Sequence, residues 1–273
     1  IVAVVGKDFR REHLMVLKSH SIDTSNLQHL PGLTFRWTGI YDSNNFNSRE
    51  TIDTQLNVFA DFAPELQKNL RDSPFLFLAN IDPDLQMEVL SQMNSRPRMV
   101  ALDTMNFWID SKRDSLINVI KSADVLFVDE TEARSIAQNS NLIHAAESIL
   151  ALGLSAVVVK RGDYGVLIFM QESIFAAPAF PVKNVIDPTG AGDSFAGGFM
   201  GYIASTGDLS NEGLRRATVV GSVMGSFAVQ DFSIEGLSCL SQQDVNDRLE
   251  TITHMSQFVP FKDQSPLPWI RKV

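Results

Sequence analysis

Asp187-Pro-Thr-Gly-Ala-Gly-Asp-Ser-Phe-Ala-Gly-Gly-Phe-Met-Gly201 is the stretch around which the rest of the chain is organised. Gly190, Ala191 and Gly192 leave no bulk around a turn, Asp193 sits where the turn becomes a helix, and the apolar run from Phe195 to Ile203 continues at helical spacing. A helix N-terminus offers backbone N–H groups without intrahelical partners and about half a positive charge, so it receives phosphate well. An aspartate among those groups repels an anion and is poorly explained by binding alone. It makes sense as a base that takes a proton from a hydroxyl while the N–H groups hold a transferring phosphoryl group.

Upstream, strands and helices alternate. Phe75-Leu-Phe-Leu, Met99-Val-Ala-Leu, Val125-Leu-Phe-Val and Ala156-Val-Val-Val are short runs apolar on both faces, predicting strands at 75–79, 99–102, 124–128 and 155–159. Helices are predicted at 64–70, 83–93, 111–121, 130–138 and 142–152. This pattern is that of a parallel sheet covered on both faces, in which ligands bind beyond the carboxyl ends of the strands. Lys160-Arg-Gly-Asp-Tyr-Gly165 follows one such end, and strands near 165–170 and 173–177 bracket a tight turn. Helices near 191–205, 211–229 and 241–257 close the chain, with a peripheral tail at 262–273. At the other end, Ile1 to Val5 reads as a buried strand, Asp8 as an N-cap, Phe9, His13, Leu14 and Leu17 as a helix face, and Ser21 to Leu27 as a turn. Residues 34–42 and 51–59 instead alternate polar and apolar with period two, an antiparallel pair standing apart from the main sheet; the pattern alone equally allows two ordinary edge strands.

Bulk properties narrow the function. The 273 residues, 44% hydrophobic, suit one large core. The net charge of −9 without a basic cluster argues against nucleic acid as a partner. No apolar run approaches a membrane span, no secretory signal is visible, and the single Cys239 forms no internal disulfide, which together predict the cytoplasm. The chain begins inside an apparent strand and without methionine, from which an N-terminal part is expected to be absent.

Rival motifs fail on inspection. A dinucleotide fingerprint requires glycine where Phe195 stands, a Walker loop requires a Gly-Lys-Ser/Thr that occurs nowhere, and no protein-kinase signature pair exists. The longer run Asp187 to Phe199 resembles the C-terminal signature of the ribokinase-like, or PfkB, family of carbohydrate kinases, while Val4-Val-Gly-Lys-Asp-Phe and Ser21-Ile-Asp-Thr-Ser resemble two of its earlier segments. The resemblance implies a three-layer α/β/α sandwich with a mainly parallel sheet (1–33 and 60–273) and a small β lid (34–59), using ATP and Mg²⁺ and in many relatives a monovalent cation such as K⁺. It also implies roles for residues. Asp193 is the general base, and the N–H groups of Gly190, Ala191 and Gly192 form the anion hole. Glu132 matches the acid of an Asn-x-x-Glu motif that organises Mg²⁺ and phosphate, with Asp129 where the family usually has Asn; helix capping explains both acids equally well. Gly162 and Gly165 match a turn beside the nucleotide, Lys160 is within reach of a phosphate, and Asp187 and Thr189 lie where the monovalent cation is held. Val219, Ser222 and Val223 are candidates for the adenine pocket, although an apolar helix face is more often core. Asp103 and Asn106 resemble an Asp-x-Asn segment near the substrate; Arg36 on the lid, Asn80 and Asp82 are further substrate candidates, a solvated arginine being an equal reading for Arg36.

A first-strand aspartate for the sugar and a Gly-Gly loop, both features of the family, do not occur in this sequence. Two functions therefore compete: phosphorylation of a sugar or nucleoside hydroxyl by ATP, or a non-catalytic ligand-binding homologue. The apolar residues Ile52, Leu56 and Val58 of the lid are expected to pair with a second copy.

Overall fold

The computed structural model describes residues 1–42 and 45–257, with the backbone alone for 45–49. In chain order the elements are β1 (Val2–Val5), α1 (Arg11–Ser19), β2 (Asn26–His29), β3 (Arg36–Asp42), β4 (Asn45–Gln55), β5 (Phe75–Leu78), α2 (Pro83–Ser91) and β6 (Met99–Asp103). Then come α3 (Asn106–Ser111), α4 (Arg113–Ile120), β7 (Val125–Asp129), α5 (Glu130–Ala137), α6 (Leu142–Leu150), β8 (Ala156–Lys160), β9 (Val166–Met170) and β10 (Ser173–Ala177). Four helices follow: α7 (Ala191–Thr206), α8 (Asn211–Ala228), α9 (Glu235–Ser238) and α10 (Gln242–Ser256).

The apolar runs form the middle of a six-stranded sheet of order β10-β9-β8-β7-β6-β5. β5 to β8 are parallel, and β9 is antiparallel to both β8 and β10. Because side chains alternate along a strand, each run feeds two cores. Val100, Leu102, Leu126, Val128, Val157 and Val159 pack on one face, against Leu116, Ile136 and Ile149 of α4, α5 and α6. Ala101, Phe127 and Val158 pack on the other, against Phe195, Phe199 and Ile203 of α7 and Leu214 of α8. The chain is thus a three-layer α/β/α sandwich.

Phe127 seats α7. Its ring meets those of Phe77, Phe195 and Phe199 edge-on at 6.0, 6.0 and 5.1 Å. Each such pair contributes about 0.5–1.5 kcal/mol beyond area burial. α7 and α8 touch almost backbone to backbone. A Cβ on Gly198 would lie 2.7 Å from Met224 Cγ, and one on Gly221 would lie 2.8 Å from the Phe195 carbonyl oxygen.

Several local expectations are corrected. β1 does not join the six strands; it pairs in parallel with β2, a strand that begins at Asn26 inside the predicted turn. Asp8 caps no helix: α1 starts after Arg10, while Asp8 Oδ1 accepts the Thr34 N–H and hydroxyl, both at 2.7 Å. These bonds, the Thr34 amide first, hold the Asp8 carboxyl below the usual range. The second alternating strand ends at Gln55 rather than running to 59. The chain turns at Asn57–Asp61 and buries Val58 against Val4 and Phe62, so Val58 is not part of an apolar lid face. Between 64 and 70 there is only a single turn, Lys68–Leu70. The predicted 111–121 helix is present as α4, and a further short helix that was not predicted, α3, precedes it; Lys112 between the two pairs its ammonium with Asp82 and Asp84 at 2.6 Å each. The tail at 262–273 lies outside the described residues.

Candidate active site

Three adjacent strands end in charged residues: β6 in Asp103, β7 in Asp129 and β8 in Lys160. Asp129 and Lys160 are register partners. Lys160 reaches past β7 to Asp103, Nζ to Oδ2 3.2 Å, with both side chains largely buried. Burial alone would lower the lysine pKa, but Asp103 and Glu132, then Asp193, hold it above its usual value. Asp129 caps α5 in a reciprocal box: its Oδ1 accepts the Glu132 N–H and Glu132 Oε2 accepts the Asp129 N–H, both at 2.8 Å. The capping reading of these acids is therefore realised, yet capping leaves Glu132 only 3% exposed and costly to ionise. Burial first, then the Asp129 charge, pushes its carboxyl up to about 7, against the pull of Lys160.

α7 starts beside this cluster. Gly190 precedes it with φ 79°, a left-handed conformation that side chains resist, although a Cβ there would meet nothing within 4 Å. At Gly192 the constraint is space: a Cβ would lie 3.1 Å from Lys160 Nζ. Asp193 falls in the first turn of α7. Of the three N–H groups expected to face an anion, that of Ala191 donates instead to the Pro188 carbonyl at 3.2 Å, closing the turn. Asp187 Oδ1 accepts the Thr189 N–H at 2.9 Å, and the Ile186 N–H donates to the Val229 carbonyl at 2.8 Å. The latter bond brings the end of α8 to this turn.

Strand ends bearing a buried lysine among carboxylates, facing a glycine-lined helix start, invite comparison with known proteins. Residues 1–236 match the family described as pfkB family carbohydrate kinase. The chain belongs to the pfkB family. It is 30% identical over 240 residues to the cytidine kinase of Thermococcus kodakarensis, a match spanning 84% of this chain and 83% of that relative. It is 24% identical over 235 residues to the nucleoside kinase of Methanocaldococcus jannaschii, spanning 84% and 72%. The solved structure of the M. jannaschii nucleoside kinase, a ribokinase-family member, superposes with a TM-score of 0.72 at 21% identity, covering 92% of this chain and 80% of that one. A putative ribokinase II from E. coli, solved with ATP and Mg²⁺, gives 0.73 at 19%, covering 92% and 82%. These superpositions establish the shared fold.

Within this pfkB chain, the remaining candidates fall in three groups. Gly162 and Gly165 sit at the end of β8 with φ 58° and 86°, and a Cβ on Gly165 would collide with the Ala177 carbonyl oxygen at 2.2 Å. Next to this turn lies an open cavity of about 350 Å³ lined by Arg161, Tyr164, Val166, Ala177, Pro178 and Met255. The expected adenine residues do not line it. Val223 is wholly buried against Phe227 and Ile252, Val219 packs on both neighbouring cores, and Ser222 Oγ donates to the Pro178 carbonyl at 3.2 Å. Val219 and Val223 were candidates by family resemblance; here they form part of a core-facing stripe, the alternative reading of an apolar helix face. The prospective substrate side is partly committed as well. Asp82 caps α2 and binds Lys112, Asn80 Oδ1 accepts the Trp108 indole N–H at 3.1 Å, and both Asp103 oxygens are engaged, Oδ1 by the Thr104 N–H at 2.7 Å. Asn106 is exposed at the start of α3. Arg36, 63% exposed, approaches Asp8 at 3.4 Å.

Sequence reasoning missed Tyr41. The β3–β4 pair arches to the other side of the site: the Thr189 hydroxyl donates to the Tyr41 oxygen at 3.2 Å, and β4 touches the Gly162–Tyr164 turn. Among the described residues, no group of three or more His, Cys, Asp or Glu converges to hold a metal ion by protein ligands alone, and no helix is long and apolar enough to cross a membrane.

Proposed function

We propose that this pfkB chain transfers the γ-phosphoryl group of ATP to a hydroxyl of a nucleoside or sugar. The observation that carries the reading is Asp193 in the first turn of α7, beyond a left-handed Gly190 and beside the buried Lys160. In this reading Asp193 takes the proton of the attacking hydroxyl. The helix start at Gly190, Ala191 and Gly192 receives the phosphoryl group in flight, the Ala191 N–H leaving its bond to Pro188 when the anion arrives. Positioning and fixed positive charge do most of the work in phosphoryl transfer, and a glycine-lined turn lets the phosphate approach the backbone itself. A nucleoside acceptor is favoured because the relative at 30% identity over 84% of the chain is named a cytidine kinase and another, at 24%, a nucleoside kinase; a ribokinase matching 86% of the chain at 25% keeps a sugar acceptor as the second reading.

Asp129 and Glu132 suit a Mg²⁺ ion held chiefly through water and nucleotide phosphates, since both offer hard oxygen donors and the buried Glu132 carboxyl is short of positive neighbours. Bound there, the ion would neutralise charge on the β- and γ-phosphates. The turn at Asp187 and Thr189, joined to the end of α8, is the place proposed for a monovalent cation such as K⁺. The β3–β4 pair is proposed as a lid over the acceptor, and its exposed Ile40 and Ile52 as the surface that meets a second copy.

Asp193→Asn tests the reading. Removing the base is expected to lower kcat on the order of 10²- to 10⁴-fold while leaving nucleotide affinity within about threefold. The assay is ADP release with cytidine, inosine, ribose and fructose as acceptors. Unchanged turnover in the variant overturns Asp193 as the base; no turnover of any acceptor by the parent chain supports a non-catalytic binding protein.

A further inference from the structure

Asp103 carries an arrangement that acceptor binding does not explain. Its side chain is 6% exposed, and neither oxygen faces a cleft without a partner: Oδ1 takes the Thr104 N–H and Oδ2 the Lys160 ammonium. β6 and β8 flank β7, so their ends stand roughly 9–10 Å apart, a span that a lysine crosses and a shorter cation does not. The same ammonium also stands against Gly192, where a Cβ would lie 3.1 Å from Nζ. A lysine on a strand end normally keeps several rotamers, and fixing one costs up to about 2 kcal/mol. Here the buried carboxylate fixes it before any ligand arrives.

We propose that Asp103 is a positioning residue. It holds Lys160 Nζ at the Gly192 turn, so that the terminal phosphate of a bound nucleoside triphosphate meets a cation already in place. The acceptor is then recognised by other groups. The inference rests on the reading of the α7 start as a phosphate site, and it goes beyond that reading by separating Asp103 from acceptor recognition. Glu132 and Asp193 also attract Lys160, but Asp103 is the partner at hydrogen-bonding distance. Without Asp103 the ammonium loses its one hydrogen-bonded carboxylate and is left to the pulls of Glu132 and Asp193. Arginine at 160 would crowd the same turn, because the space beside Gly192 is only that of an ammonium.

Calorimetric titration of the full chain with Mg²⁺ plus AMP-PNP, and separately with ADP, tests the assignment without needing an acceptor. Lys160→Met is expected to weaken AMP-PNP about tenfold or more and ADP less than about threefold, the loss of one charge-assisted contact to the third phosphate. Asp103→Asn is expected to act in the same direction on AMP-PNP by at least about threefold. The double variant Asp103→Asn/Lys160→Met is expected to match Lys160→Met within about twofold, because Asp103 acts only through Lys160. If Lys160→Met fails to fold with its carboxylate left buried and uncompensated, the double variant, which removes both charges, is compared with the parent directly. Parent-like AMP-PNP affinity in Asp103→Asn or in the double variant overturns the proposal, as do losses that multiply across the two sites. Absence of nucleotide binding by the parent overturns the phosphate site and this inference together, whereas binding indifferent to Asp103→Asn overturns the inference alone.

Discussion

Glu132 is the residue at which structure and chemistry pull hardest against each other. As one half of a capping box it needs an accepting oxygen, and as a buried group it resists the charge that makes the oxygen strong. The carboxyl rises from 4.5 to about 7 on folding. Below the lower value both folded and unfolded chains hold the proton. Between the two values only the unfolded chain releases it, so the contribution of this group to stability falls as pH rises through the window and levels off above about 7. The full difference is on the order of 3 kcal/mol. Urea midpoints of the parent and of Glu132→Gln, which mimics the protonated carboxyl, are expected to lie close near pH 4.5 and to separate as pH rises to 8, the parent falling relative to the variant; parallel curves would show that the carboxyl is not raised on folding. The neighbouring Asp129 was legible as a departure from the family's Asn, and Asp193 as an acid where a glycine-lined turn becomes a helix. The Asp103–Lys160 pair was not legible, because 57 positions separate its members and only the parallel register of three strands brings them together. A trace did exist in the sequence: each of three apolar runs is followed at once by a charged residue, and lining up those ends points to one edge of the sheet.

At the scale of elements, the central strands were the readable part because burial on both faces leaves no choice of residue. Val125 to Val128 and Ala156 to Val159 are wholly buried and look so in the sequence. Segments stabilised by a few specific contacts were not readable. The alternation that suggested a strand to 59 persists past Gln55, but Val58 is drawn inward by Val4 of a different sheet and by Phe62. α4 was readable from its apolar spacing, whereas the short α3 before it was not. The start of α7 depends on backbone conformation rather than on packing. Gly190→Ala introduces no clash but forces a side chain into the left-handed region, costing about 1–2 kcal/mol. Thermal unfolding is expected to drop by several degrees, with nucleotide affinity falling alongside. Gly198→Leu fails differently, since Met224 occupies the space. It parts α7 from α8 and is expected to lower the yield of folded protein rather than its affinity.

For the whole molecule, the β3–β4 pair touches two parts of one candidate site, Thr189 through Tyr41 and the Gly162–Tyr164 turn through β4. Tyr41→Phe keeps the ring that packs 6.4 Å from Trp37 and removes only the oxygen bonded to Thr189. Amide exchange in β3 and β4 is expected to quicken about two- to fivefold, the worth of one exposed hydrogen bond, with the six-stranded sheet unaffected. Equal exchange in both proteins would mean that the pair is held in place elsewhere. This long-range contact, 148 positions apart, left no trace in local pattern. The order of the large sheet has a consequence for how the chain comes together. Its strands lie side by side in the order in which they are made, β5 through β10, and one face is covered along the way by α2 and α4 to α6. The second face, with Ala101, Phe127 and Val158, waits for α7 and α8. During synthesis it stays bare until residue 228 has left the ribosome, an apolar surface of the kind that chaperones hold and that aggregates otherwise seize. The helix that begins at the Asp193 turn is itself part of what closes that face, so under the proposed function the base would be seated late in folding.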